Sequence, residues 1–185
     1  MVRLLFIGNQ IAVTVALLVI LAVIIEILRF LLTPKIAISP KIARETVTAP
    51  NSKEKKKVFC IKVVNKSWFF KMTDLNAALY IEQPARASDG CIRKTRLKLL
   101  RDKILYLNKY QKTDKKASYT LHFICLDDID NLWTDGTEAS LTFKVILRHG
   151  FSGKTRIISK KYYYPTAALF DGTFKQGKSL DISYN

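Results

Sequence analysis

The chain has 185 residues, room for one compact domain and an appendage, and sets 31 Lys and Arg against 15 Asp and Glu, a formal charge of +16. That balance favours phosphate-bearing partners, either nucleic acid or an anionic lipid surface. Its three cysteines, Cys60, Cys91 and Cys125, exclude a disulfide-stapled scaffold, and an odd count leaves a thiol free, which favours a reducing compartment.

The first element is apolar. Ile11 to Ile25, IAVTVALLVILAVII, contains no charge, and apolar residues extend it from Leu4 to Leu32 with interruptions only at Gly8-Asn9-Gln10, Glu26 and Arg29. About 20 such residues cross the hydrocarbon of a bilayer. Residues 1–32 are therefore expected to form a single-pass transmembrane helix, uncleaved, because the apolar run exceeds a signal-peptide core and no A-x-A site follows it. Glu26 and Arg29, three apart, can meet on one helical face at the interface. Behind Arg3 there is little positive charge, whereas Arg29, Lys35, Lys41, Arg44 and the run Lys53 to Lys57, broken by Glu54, follow the helix. The positive-inside rule then puts the C-terminal part in the cytoplasm, although signal-anchors also deliver long domains outward.

Residues 33–57 turn to Pro, Ser, Thr and Lys, with Pro34, Pro40 and Pro50 spaced along them, and read as a semi-extended linker. Residues 58–185 change pattern again, to short alternating apolar runs separated by turn residues. The runs are Val58 to Asn65, Ser67 to Met72, Ala77 to Gln83, Lys103 to Asn108, Ser118 to Leu126, Ala139 to Arg148 and Lys154 to Tyr164. Helical periodicity appears nowhere after the first segment except near RKTRLKLLRDKIL. The expected fold is all-β, an immunoglobulin-like β-sandwich of about seven strands, an architecture that carries no activity with it. Strand parity separates two of the cysteines. In VFCIKVV the apolar face is Phe59, Ile61 and Val63, which turns Cys60 away beside Lys62, whereas in SYTLHFIC Cys125 follows Tyr119, Leu121 and Phe123 inward.

Three stretches invite a chemical reading. RHGFSGKTR, Arg148 to Arg156, resembles a phosphate loop, but G-x-x-x-x-G-K-[ST] needs a glycine where Arg148 stands, and both flanks read as strands rather than strand and helix. It is expected to be a hairpin tip in which Gly150 and Gly153 supply positive φ. Arg148, His149, Lys154 and Arg156 there form a candidate anion or partner contact. DDIDNLWTDG departs from the calcium-loop pattern, since Leu132 falls on a ligand position counted from Asp128, and reads as an acidic turn. With only His122 and His149 as bases, neither beside an obvious nucleophile, and no zinc or dithiol pattern, no catalytic residue, metal ligand or cofactor is expected.

The basic stretch Arg93 to Lys116 carries the charge, with Arg93, Lys94, Arg96, Lys98, Arg101 and Lys103 as a candidate lipid or nucleic-acid patch; lipid outranks nucleic acid if the domain is tethered near anionic headgroups. A solvated strand and loop explain it more simply. Trp68-Phe69-Phe70 and Tyr162-Tyr163-Tyr164 are aromatic runs suited either to the core or to a partner. The functional expectation is a non-catalytic, membrane-anchored interaction module, a subunit of a larger membrane complex or a homo-oligomer. The alternatives are an anionic-lipid- or nucleic-acid-binding protein acting through residues 93–116, and a hydrolase in which His122 or His149 lies in a cleft near a carboxylate or hydroxyl.

Overall fold

The computed structural model describes residues 2–48, 55–85, 91–136 and 138–184; of these, the side chains of residues 2–12, Arg29, Thr48 and Lys55 lie outside the description. The chain divides into two units, Met1–Thr33 and Pro34–Asn185.

The first unit is one helix, α1 (Val2–Leu31), continuous over 30 residues. Every described side chain from Val13 to Leu28 is exposed, Leu17 and Leu18 among them, and so is Phe30 two residues beyond. Among the described residues no helix is long and apolar enough to cross a membrane. The Glu26–Arg29 pairing, Arg3 and the Lys53-Glu54 part of the lysine run fall outside the described residues.

The second unit is all-β, with its strands gathered in two five-stranded sheets and a short hairpin. In the first sheet β3 (Lys55–Asn65) is central. On one side it pairs antiparallel with β7 (Thr120–Cys125), and on the other with β1 (Ile36–Ile38) and β2 (Ile42–Thr48) in succession. Beyond β2 lies β10 (Leu169–Asp171), which joins it in parallel. The second sheet is centred on β4 (Met72–Pro84), flanked on one edge by β5 (Ile92–Leu97) and β6 (Lys103–Leu107) and on the other by β8 (Ser140–His149), which carries β9 (Thr155–Tyr162). The segment between β5 and β6 crosses to the first sheet, where Leu99 bridges Cys125 and the Leu100 N–H donates to Ile124 O at 2.8 Å.

Alternation dictates the packing. Phe59, Ile61 and Val63 of β3, Phe123 and Cys125 of β7, Leu75, Ala77, Leu79 and Ile81 of β4 and Leu141, Phe143, Val145 and Leu147 of β8 form one core shared by both sheets. Phe123 and Phe143 meet with ring centroids 5.4 Å apart. Trp133 closes one end of that core, its indole N–H donating to Ala139 O at 3.0 Å, after the one-turn helix α2 (Ile129–Leu132). A second one-turn helix, α3 (Pro165–Ala168), leads into β10.

The outer face of the first sheet is covered as well. The chain end folds back as β11 (Thr173–Phe174) and β12 (Ile182–Ser183), and Phe174 and Ile182 pack on Ala43 and Cys60. Lys62 is buried beneath this flap, and its ammonium donates to Lys175 O at 2.6 Å. Burial pushes the Lys62 amine below its usual range and the Cys60 thiol well above its own.

Several expectations need correction. The described part of the expected linker, 33–48 and 55–57, is not a free tether: Pro34 and Pro40 stand just before β1 and between β1 and β2, where no ladder N–H is required, and the strands around them join the sheet, while Pro50 lies outside the described residues. Ser67 to Phe70 is a loop, with strand resuming only at Met72. RKTRLKLLRDKIL forms β5, a crossing segment and β6 rather than a helix. The two cysteines obey the parity read from the sequence: Phe59, not Cys60, stands opposite Cys125, and both thiols are free and buried on opposite faces.

Candidate binding surface

The RHGFSGKTR stretch is the β8–β9 hairpin tip: the His149 N–H donates to Lys154 O at 2.8 Å and the Gly153 N–H to His149 O at 2.9 Å. Gly153 does adopt positive φ, at 67°. Gly150 is needed for a different reason. Its N–H donates to Lys71 O at 2.9 Å, and a Cβ on it would fall 2.6 Å from that oxygen.

The four cationic residues of this tip have different surroundings. Arg148 pairs with Asp74, 3.5 Å away on the bulge of β4, and the Arg156 guanidinium donates to Pro34 O at 2.8 Å. His149 is fully buried and unable to meet a ligand from solvent. Its Nδ1 accepts the Ser152 N–H at 3.1 Å and lies 3.0 Å from the Ser152 hydroxyl, while Nε2 has no hydrogen-bond partner among the described residues. Burial first, and the Lys154 charge second, hold the imidazole below its usual range, so it is neutral near pH 7. A serine three residues away whose backbone and side chain share one ring nitrogen makes a turn cap. Lys154 keeps an exposed ammonium.

The basic stretch is likewise divided. Lys94 pairs with Glu82 at 2.9 Å and Arg96 with Asp102 at 3.0 Å, while Arg93, Lys98, Arg101 and Lys103 are exposed on β5, the crossing segment and β6. Glu82, nearly buried, also takes Lys161 of β9 at 3.1 Å, and these two lysines hold its carboxyl below the usual range. The acidic turn has structural duties. Asp128 caps α2, Asp127 accepts the Lys98 N–H at 2.6 Å, and Asp130 pairs with Arg44 at 3.4 Å. Among the described residues no group of three His, Cys, Asp or Glu could hold a metal ion.

What the fold does bring together is aromatic. The loop from Lys66 to Lys71 is anchored by Asn65, a fully buried residue at the end of β3. Its amide donates to Phe70 O at 3.2 Å and to Asn108 O at 2.8 Å, and its carbonyl accepts the Ser67 N–H at 2.8 Å. With the backbone so fixed, Trp68 and Phe69 are left 68% and 67% exposed. Phe151, 73% exposed at the hairpin tip, stacks on Phe70 at 5.3 Å, and Phe70 stands edge-on to His149 at 4.7 Å. Trp68 continues the cluster to Tyr110 at 5.4 Å, where an open cleft of about 480 Å³ also meets Lys66, Lys178 and Asp181. Lys66, Lys71 and Lys154 are exposed around the rings. Of the other aromatic run, Tyr162 is core, its hydroxyl donating to Ser39 O at 2.8 Å, and Tyr163 and Tyr164 are exposed.

Trp68-Phe69-Phe70 was visible in the sequence; Phe151 was not singled out, because one aromatic in a turn carries no periodic signal. Asn65 gives no local signal of its role either, because Asn108, one of its partners, lies far along the chain. No protein-family model matches the chain, and no curated protein matches it.

Proposed function

We propose that the protein is a non-catalytic, single-pass membrane protein whose immunoglobulin-like β-sandwich, held at the cytoplasmic face, is an interaction module and a subunit of a larger membrane complex. The observation that carries this reading is α1: from Val13 to Leu28 its described side chains are almost all apolar and all exposed, a surface that water penalises and hydrocarbon does not. The described side chains alone fall short of a span, and the membrane segment proposed is the apolar run of the sequence from Leu4 to Leu32, against the about 20 residues that a crossing needs. The exposed rings of Trp68, Phe69 and Phe151 support an interaction role, since large aromatics left in water in a fixed loop are surfaces awaiting a contact.

The pairing of Lys94 and Arg96 with carboxylates weakens the competing reading in which residues 93–116 act as one lipid or nucleic-acid patch. Isolation of the full chain in mild detergent tests the assignment. Reproducible co-purification of a membrane-protein partner, or a defined homo-oligomer, is expected; a clean monomer without partner contradicts it.

A further inference from the structure

We propose that the surface built from the Lys66 to Lys71 loop and the β8–β9 tip rests on the headgroup region of an anionic bilayer, with Trp68, Phe69 and Phe151 as interfacial anchors. The inference rests on the anchored reading above and adds to it a second membrane contact, made by the β domain itself.

The first support is where the chain enters the domain. Lys35 O accepts the Lys66 N–H at 2.8 Å, and Pro34 O accepts the Arg156 guanidinium at 2.8 Å. Pro34 and Lys35 are therefore bound to the two elements that carry the exposed aromatics. From Leu31 to Lys35 the backbone can extend at most about 14 Å. If the end of the apolar helix lies at an interface, the domain end bearing Trp68, Phe69 and Phe151 is held within reach of the same interface by covalent geometry alone.

The second support is chemical. Trp combines a large apolar body with an indole N–H that hydrogen-bonds at headgroup depth, and Phe adds buried apolar area beside it. Lysines around such rings keep their charges among lipid phosphates while their methylenes lie along the acyl boundary. Lys66, Lys71 and Lys154 are exposed on these two loops, and each basic group near an anionic surface strengthens the contact. The third support is the fixing of both loops. Asn65, Gly150 and His149 hold them through hydrogen bonds, so the rings are presented without a large ordering cost on contact.

The chain has only two tryptophans, and none lies in residues 1–32, so Trp68 reports on this surface while Trp133, 1% exposed, serves as the internal reference. Full-length protein is reconstituted into phosphatidylcholine vesicles with and without phosphatidylglycerol, containing lipids brominated near the headgroup end of the acyl chains. The expected result is loss of Trp68 emission, greater with phosphatidylglycerol, and no comparable loss in Trp68→Phe. The triple variant Lys66→Gln, Lys71→Gln, Lys154→Gln is expected to lose the phosphatidylglycerol-dependent part. Protein that floats with the vesicles but is quenched no more than Trp68→Phe overturns the second contact and leaves the anchor standing, as when the patch faces a protein partner. Protein that fails to float with the vesicles overturns both.

Discussion

Gly150 and Lys71 touch backbone to backbone: the glycine N–H donates to the lysine carbonyl at 2.9 Å, across two loops that are distant in sequence. A methyl group on Gly150 would lie 2.6 Å from that oxygen and 2.9 Å from the Lys71 Cγ. The side chain can swing aside, but the carbonyl belongs to the backbone just before β4 and cannot without breaking the hydrogen bond. Gly150→Ala is therefore expected to destabilise the domain by about 1–3 kcal/mol, read as a lower midpoint in thermal or urea unfolding. An unchanged midpoint would show that the hairpin tip is not packed against the loop.

His149 gives a pH dependence with a definite sign. Its imidazole is held neutral by burial and by Lys154, so its folded pKa lies below the ordinary 6.5. Below pH 6.5 the unfolded chain takes up a proton that the folded chain refuses, and stability falls as the pH drops until the folded pKa is passed. The slope contributed by this one group is at most about 1.4 kcal/mol per pH unit. His122 is displaced in the same direction, by burial and then by Lys62, so the two are separated by variants. His149→Asn, which offers a side-chain oxygen to the Ser152 N–H, is expected to flatten urea-midpoint-against-pH curves between about pH 6.5 and 5; a curve parallel to wild type would contradict the buried neutral imidazole.

The cysteines provide a native topology probe. Cys91 is exposed, whereas Cys60 and Cys125 are buried and burial raises both thiols, Cys125 to about 11. A membrane-impermeant maleimide is expected to label the folded protein once, at Cys91. In intact cells a cytoplasmic domain remains unlabelled until the membrane is permeabilised. Labelling of intact cells that disappears in Cys91→Ser would put the domain outside.

Much of the fold was legible because alternation is a strong signal where a strand has one buried face. TLHFIC and SLTFKVIL announce β7 and β8, and the parity of Phe59, Ile61 and Val63 fixes which way Cys60 turns. β1 and β2 were hidden by prolines that turn out to sit at strand ends. β5 was hidden by its charges: RKTR reads as a solvated run until Glu82 of the neighbouring strand β4 supplies Lys94 with its partner. Lys62 is buried because the last dozen or so residues fold over the sheet's outer face, and nothing local predicts that. The binding surface was legible in pieces only. Trp68-Phe69-Phe70 and the hairpin tip each stand out, but their adjacency depends on the Gly150 contact and on Asn65, whose amide joins loops far apart in the chain.

Everything proposed for the protein's role depends on α1 residing in a bilayer, and alkaline carbonate extraction of membranes from cells expressing the full chain tests that most directly. The protein is expected to remain in the membrane pellet at high pH and to be released only by detergent. Recovery in the carbonate supernatant, alongside peripheral proteins, would contradict the anchor and with it the membrane role of the β domain.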